Sequence, residues 1–102
     1  MMRIEFAGPI EQINPENDNF DVFLRLDDGR LYNFLVATPN NIYSCMENEG
    51  VDYFFGVPPV FVKQLTHENV ERALRAIIEA GDEVLNVYGT LQKADIEIQD
   101  GE

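Results

Sequence analysis

The chain has 102 residues, 45% hydrophobic and 25% charged, the balance of an ordinary globule rather than of a disordered segment. That length fits one domain, able to bury about two-thirds of its unfolded-chain surface without metal or disulfide support. Nineteen acids face seven bases, for a formal net charge of -12; this argues against nucleic-acid backbones and anionic membrane surfaces as partners, and it serves solubility first and the attraction of a basic protein second.

The charge is spread evenly. The first fifty residues carry nine acids and three bases, the rest ten and four, so there is no separate acidic tail domain. The lone cysteine, Cys45, excludes an internal disulfide framework and a cysteine zinc site. The N-terminal residues Met1 to Phe6 form no apolar h-region, and no run approaches a transmembrane span. The expected location is the cytoplasm.

In chain order, Arg3 to Ile13 carries apolar residues at Ile4, Phe6, Ile10 and Ile13 and reads as a strand bent at Gly8-Pro9, since proline cannot donate to a central ladder. Asn14 to Asn19 is a loop of turn formers. Phe20 to Leu26 alternates, with Phe20, Val22, Leu24 and Leu26 on one face, as in a half-buried strand. Asp27-Asp28-Gly29-Arg30 is a hairpin turn. Leu31 to Ala37 returns with apolar residues on both faces and so reads as a central strand covered on both sides. The first third is thus an antiparallel meander.

Thr38-Pro39 starts a short helix over about 39–48, with a capping hydroxyl and proline at the first helical position. Ile42, Cys45 and Met46 share its apolar face, and Gly50 stops it. The window Val51 to Leu65 is the most apolar and aromatic of the chain. Pro58-Pro59 removes two donors and divides it into an expected strand at Tyr53-Phe55, a bend at Gly56-Pro59, and a strand at Val60-Gln64. Thr66 caps the main helix, about 67–80. Its apolar face is Val70, Ala73, Leu74, Ile77 and Ile78, its polar face is laced by Glu68-Arg72 and Glu71-Arg75, and Gly81 ends it. Over 82–88 Val84, Val87 and Tyr88 fit a strand, while Asp82 as a cap with the i, i+4 spacing of Val84 and Tyr88 fits a short helix; the spacing tips the reading towards the helix. Ile96 and Ile98 alternate with acids as an edge strand would, and Asp100 to Glu102 frays. The fold class is α+β: an antiparallel sheet of four to five strands with the main helix packed on one face.

Chemistry is sparse. Nucleophilic catalysis needs a nucleophile beside a base. The only histidine is His67, and Cys45 sits on an apolar face as a buried, inert thiol does. Glu16, Asp18 and Asp21 lack the glycine and terminal glutamate of an EF-hand and read as a solvated turn. No phosphate-binding glycine loop occurs. No catalytic, cofactor or metal residues are assigned, and the reading leans away from an enzyme.

What remains is a surface. Tyr53, Phe54, Phe55, Val57, Pro58 and Pro59 are the candidate binding residues, together with Phe61 beyond the bend. Either the rings fill the core under the helix from Thr66, which the dominance of aromatics in cores favours, or some stay exposed beside the bend and form a contact patch. In bulk the chain is similar to many small bacterial proteins and to immunity proteins that neutralise basic toxins, a similarity of composition that identifies no residue. The expected function is a non-enzymatic protein-binding module, such as an inhibitor or immunity-type partner. The alternatives are a homo-oligomeric structural domain and a small enzyme using Cys45, His67 or scattered carboxylates.

Overall fold

In a computed structural model of the chain, the structure describes residues 2–92. The elements are β1 (Met2–Phe6), a 3-10 turn at Ile10–Gln12, β2 (Asn19–Leu26), β3 (Leu31–Ala37), α1 (Pro39–Glu49), β4 (Val60–Phe61), α2 (His67–Ala80), α3 (Asp82–Tyr88) and β5 (Thr90–Leu91). The fold is α+β. The expected edge strand at Ile96-Ile98 and the fraying of Asp100 to Glu102 lie outside the described residues.

The meander forms as alternation dictates. β1 pairs antiparallel with β2, Ile4 opposite Leu24, and β2 pairs antiparallel with β3, Val22 opposite Phe34. The turn between β2 and β3 closes through Gly29, whose φ of 95° is strained for residues with a side chain. The first strand stops earlier than the apolar pattern suggested: β1 ends at Phe6, Ala7 N–H makes one more bond to Asp21 C=O, and Ile10 is buried from a 3-10 turn. Pro9 begins that turn, where its missing N–H costs nothing.

β3 is central, but its far edge is shared. β5 pairs antiparallel with its first half, Asn33 opposite Thr90, and β4 pairs with its second half, Val36 opposite Val60. The β4 pairing is parallel. Parallel neighbours need a crossover of a dozen or more residues, and α1 with the following loop supplies it. The strand expected over Val60-Gln64 contracts to two residues, although Val62 N–H still bonds Ala37 C=O at 3.0 Å. The strand expected at Tyr53-Phe55 does not form; the far edge of β3 is already taken, one half by β4 and the other by β5.

One sheet face carries the core. Val22, Leu24, Tyr32, Phe34, Val36 and Val60 pack with Val62, Leu65 and the α2 residues Val70, Leu74 and Ile77, and with Leu85 of α3. The other face of β3 is only half covered: Leu31 and Leu35 are half-buried and Ala37 is buried, so the expectation of full cover on both sides holds at one end alone. Burial of each large α2 side chain contributes roughly 1.5–3 kcal/mol. The exposed Glu71–Arg75 pair on the same helix, at 2.8 Å, adds about 0.3–0.5 kcal/mol. Packing therefore holds α2.

The caps are those the residue types predicted. Thr66 Oγ1 accepts from Asn69 N–H at 3.1 Å and Thr38 Oγ1 from Asn41 N–H at 3.3 Å. Gly50 takes a left-handed conformation at the end of α1. The 82–88 helix is present, but Gly81 occupies its N-cap position and Asp82 is its first residue, with no side-chain cap bond. The helix brings Gly89 against the core, where an added Cβ would stand 2.8 Å from Phe34 Cζ.

Candidate functional site

The segment from Val51 to Pro59 is held at its two ends. At the start, Gly50 N–H bonds Glu47 C=O and Val51 N–H bonds Met46 C=O at 3.0 Å, the paired carbonyl capping that commonly closes a helix. At the far end the chain enters β4 against β3. Between these anchors Gly56 has a φ of 138°, a backbone region natural only to glycine, and Pro58-Pro59 cannot donate.

The large side chains in this segment are exposed: Tyr53 61%, Phe54 43%, Phe55 83% and Val57 51%. Core filling under α2 is therefore not their role. Tyr53 and Phe55 stack with centroids 6.0 Å apart and planes 15° apart. Pro58 is exposed and Pro59 half-buried. Among the neighbours in sequence, Phe61 points outward from β4 while Val60 and Val62 point in, and Tyr43 of α1 is also exposed. Tyr43 was missed in the sequence reading; its place off the Ile42-Cys45-Met46 face is the signal that finds it.

The electrostatic setting is one-sided. No basic residue lies between Arg30 and Lys63, whereas Glu47, Glu49 and Asp52 immediately precede the rings. An exposed aromatic face beside carboxylates suits a cation: ring contact with Lys or Arg contributes about 0.5–1 kcal/mol at an exposed site.

The other residues weighed for chemistry are dispersed into structural roles. His67 lies edge-on to the Phe6 ring, centroids 4.6 Å apart, with Nε2 3.6 Å from Glu11 Oε2. Cys45 is half-buried and its Sγ contacts Asn41 Oδ1 at 3.9 Å. The two thus have different neighbours and form no nucleophile–base pair. The acids of the 14–19 loop support that loop. Asp18 carboxylate oxygens accept from Asn14 N–H and Asn19 N–H, and Glu16 accepts from Gln64 Nε2 at 2.6 Å. A ladder of amides continues onto α1: Asn19 Nδ2 donates to Asn41 Oδ1, and Asn41 Nδ2 to Asn17 Oδ1. Among the described residues no three His, Cys, Asp or Glu side chains gather as a metal site, and no helix is long and apolar enough to cross a membrane.

A pocket of about 450 Å³ opens between the β2–β3 turn and the α2–α3 corner, with Met2, Leu26, Ile78 and Leu85 on its walls. Both of its arginines, Arg30 and Arg75, are already engaged; Arg75 Nη2 donates to Glu71 Oε2 at 2.8 Å. Arg30 Nε donates to Asp28 Oδ2 at 2.9 Å, and Nη1 donates to Tyr32 Oη at 3.1 Å. Tyr32 Oη in turn donates to Asn86 Oδ1 at 3.2 Å. The Arg30 backbone N–H and then its guanidinium hold the Asp28 carboxyl below the ordinary aspartate value, while Asp28 chiefly, and Tyr32, raise Arg30. This network ties the hairpin to α3 and leaves no free cation for an anionic ligand.

Fold and site together define a small α+β protein presenting a stacked aromatic loop on an acidic surface. Comparison of the chain with protein-family models, with curated proteins and with solved structures finds no significant match.

Proposed function

We propose that the protein is a non-enzymatic binding module whose contact surface is the loop Tyr53, Phe54, Phe55, Val57, Pro58 and Pro59, and whose partner is a basic protein in the cytoplasm. The observation that carries this reading is the solvent exposure of three consecutive aromatic side chains in a segment anchored at both ends. Leaving large rings in water has no folding benefit, whereas aromatic residues are enriched where protein surfaces meet. The net charge of -12 steers a basic partner in and repels polyanions. The stacked pair receives an arginine or lysine side chain, and Glu47, Glu49 and Asp52 precede it in the chain.

The test is affinity capture from the native host at low and high salt, with the Tyr53→Ala/Phe55→Ala variant beside the wild type. The expected result is a basic protein that is retained at low salt, released at high salt, and lost by the variant. Equal retention by variant and wild type refutes the loop as the contact surface. Retention unchanged by salt refutes charge steering. The variant must also fold: exposed substitutions of this kind shift stability by only about ±0.5 kcal/mol, which a thermal melt verifies.

A further inference from the structure

We infer that β1 is a self-complementary sheet edge through which two copies of this chain pair antiparallel about a two-fold axis at Ile4. β1 stands at the end of the sheet, bonded to β2 on one side, and among the described residues nothing pairs with its outer side. It contains neither proline nor a bulge, two of the devices that blunt such edges; its charges, Arg3 and Glu5, are of opposite sign.

The hydrogen-bond phase of β1 follows from one bond. Ala7 N–H donates to Asp21 C=O at 3.2 Å, continuing the register in which Glu5 faces Phe23 and Arg3 faces Arg25. In an antiparallel ladder bonded residues alternate. Arg3, Glu5 and Ala7 therefore direct their amides to β2, and Met2, Ile4 and Phe6 direct theirs outward. An incoming strand must pair with those three.

The sequence Met2-Arg3-Ile4-Glu5-Phe6 then selects the register. With Ile4 opposite its own copy, Met2 faces the second copy's Phe6 and all the outward groups of these three residues are bonded. On the far face from the helices, each Arg3 lies directly opposite the other copy's Glu5. Sliding the pairing by one pleat in either direction sets Arg3 against Arg3 or Glu5 against Glu5, and leaves outward groups unpaired. Opposite charges facing across strands are favourable and like charges unfavourable, so the charge order specifies one alignment.

The surroundings fit a second copy. Met2, Ile4 and Phe6 are half-buried along a groove of about 320 Å³ whose other wall is His67, Glu71 and Arg75 of α2, so apolar surface is available on the helix side of the seam. Arg3, Glu71 and Arg75 line this groove, so its one carboxylate is outnumbered by guanidinium groups. At about 0.15 M salt the screening length is about 8 Å. Repulsion between the distant acids of two copies is then damped, while directly opposed side chains still interact. This pairing is independent of the aromatic loop and does not rest on the function proposed for it.

The experiment is sedimentation of the whole chain at about 0.15 M salt over rising concentration. The expected result is a reversible shift to twice the 11.7 kDa chain mass. Arg3→Glu and Glu5→Arg each set two like-charge pairs across the seam and weaken pairing by about tenfold. The exchanged double variant R3E/E5R restores it. Arg25, opposite Arg3 and 3.9 Å from Glu5, keeps a carboxylate neighbour in either order, so the double variant folds. Ile4→Pro removes the central outward donor and abolishes pairing, and a matching circular dichroism spectrum shows that the loss is not unfolding. A wild type that stays at monomer mass throughout overturns the inference. So does a double variant no better than the singles, or a dimer that survives all β1 variants and is lost with Phe55→Ala.

Discussion

Replacing Gly89 by alanine tests the packing of the α3 end against the sheet. Its backbone, φ -103° and ψ 145°, is open to any residue, so the glycine is not required by backbone conformation. It is required by space. A Cβ would lie 2.8 Å from Phe34 Cζ, 3.1 Å from Phe34 Cε2 and 3.0 Å from the Leu85 carbonyl oxygen. Phe34 is 0% exposed and sits beside Tyr32, centroids 6.4 Å apart, so the ring cannot swing away without moving its neighbours. Overpacking of this kind costs about 1–3 kcal/mol. Loss of glycine's unfolded-state freedom returns about 0.4–1 kcal/mol, leaving a net destabilisation of about 1–2 kcal/mol. For a domain of this size that lowers the melting temperature by roughly 4–16 °C. Urea melts should show a lower midpoint with unchanged slope. Phe34→Leu in the same chain removes the clashing ring atoms, so the double variant should lose less than the sum of the two singles. A Gly89→Ala protein as stable as wild type, with the same slope, would refute the close approach.

Thr38 is 1% exposed, and its hydroxyl accepts from both Asn41 N–H at 3.3 Å and Asp18 N–H at 3.4 Å. Thr38→Val keeps the shape and leaves two amides without that acceptor, so it should cost about 1–3 kcal/mol. Thr66→Ala, which removes a single cap bond from Asn69, should cost about 1 kcal/mol. The ranking is read from paired urea melts, and a larger loss at Thr66 would contradict it. Asp28 should titrate below the ordinary aspartate value of about 3.9, because the Arg30 backbone N–H and guanidinium favour its charged form. Its contribution to stability is then present above the unfolded value and is lost as pH falls through the folded one. Carboxyl NMR titration checks this, and Arg30→Gln should bring the midpoint back up.

Much of this architecture was legible because its signals are local. The Phe20 to Leu26 alternation, the Asp-Gly turn, both threonine caps and the apolar face of α2 each depend on residues within a few positions of one another. Over 82–88 the residues fitted a strand as well as a helix, and the structure decides for the helix. The site was legible only as a question. Aromatic side chains at Tyr53 to Phe55 are compatible with a core or with a surface, and no neighbouring residue distinguishes the two.

Sequence by itself determined the α+β class, the meander, the two capped helices and the acidic balance, since periodicity, turn chemistry and composition act without knowledge of distant partners. Tertiary structure decided the rest. It split the far edge of β3 between β4 and β5, so Tyr53-Phe55 does not pair there. It made β4 parallel, because α1 carries the chain across. It also pressed Gly89 onto Phe34 and turned the Tyr53–Phe55 rings into solvent. Each of these outcomes depends on which edge or cavity remains after other segments have packed, a competition between residues far apart in the chain.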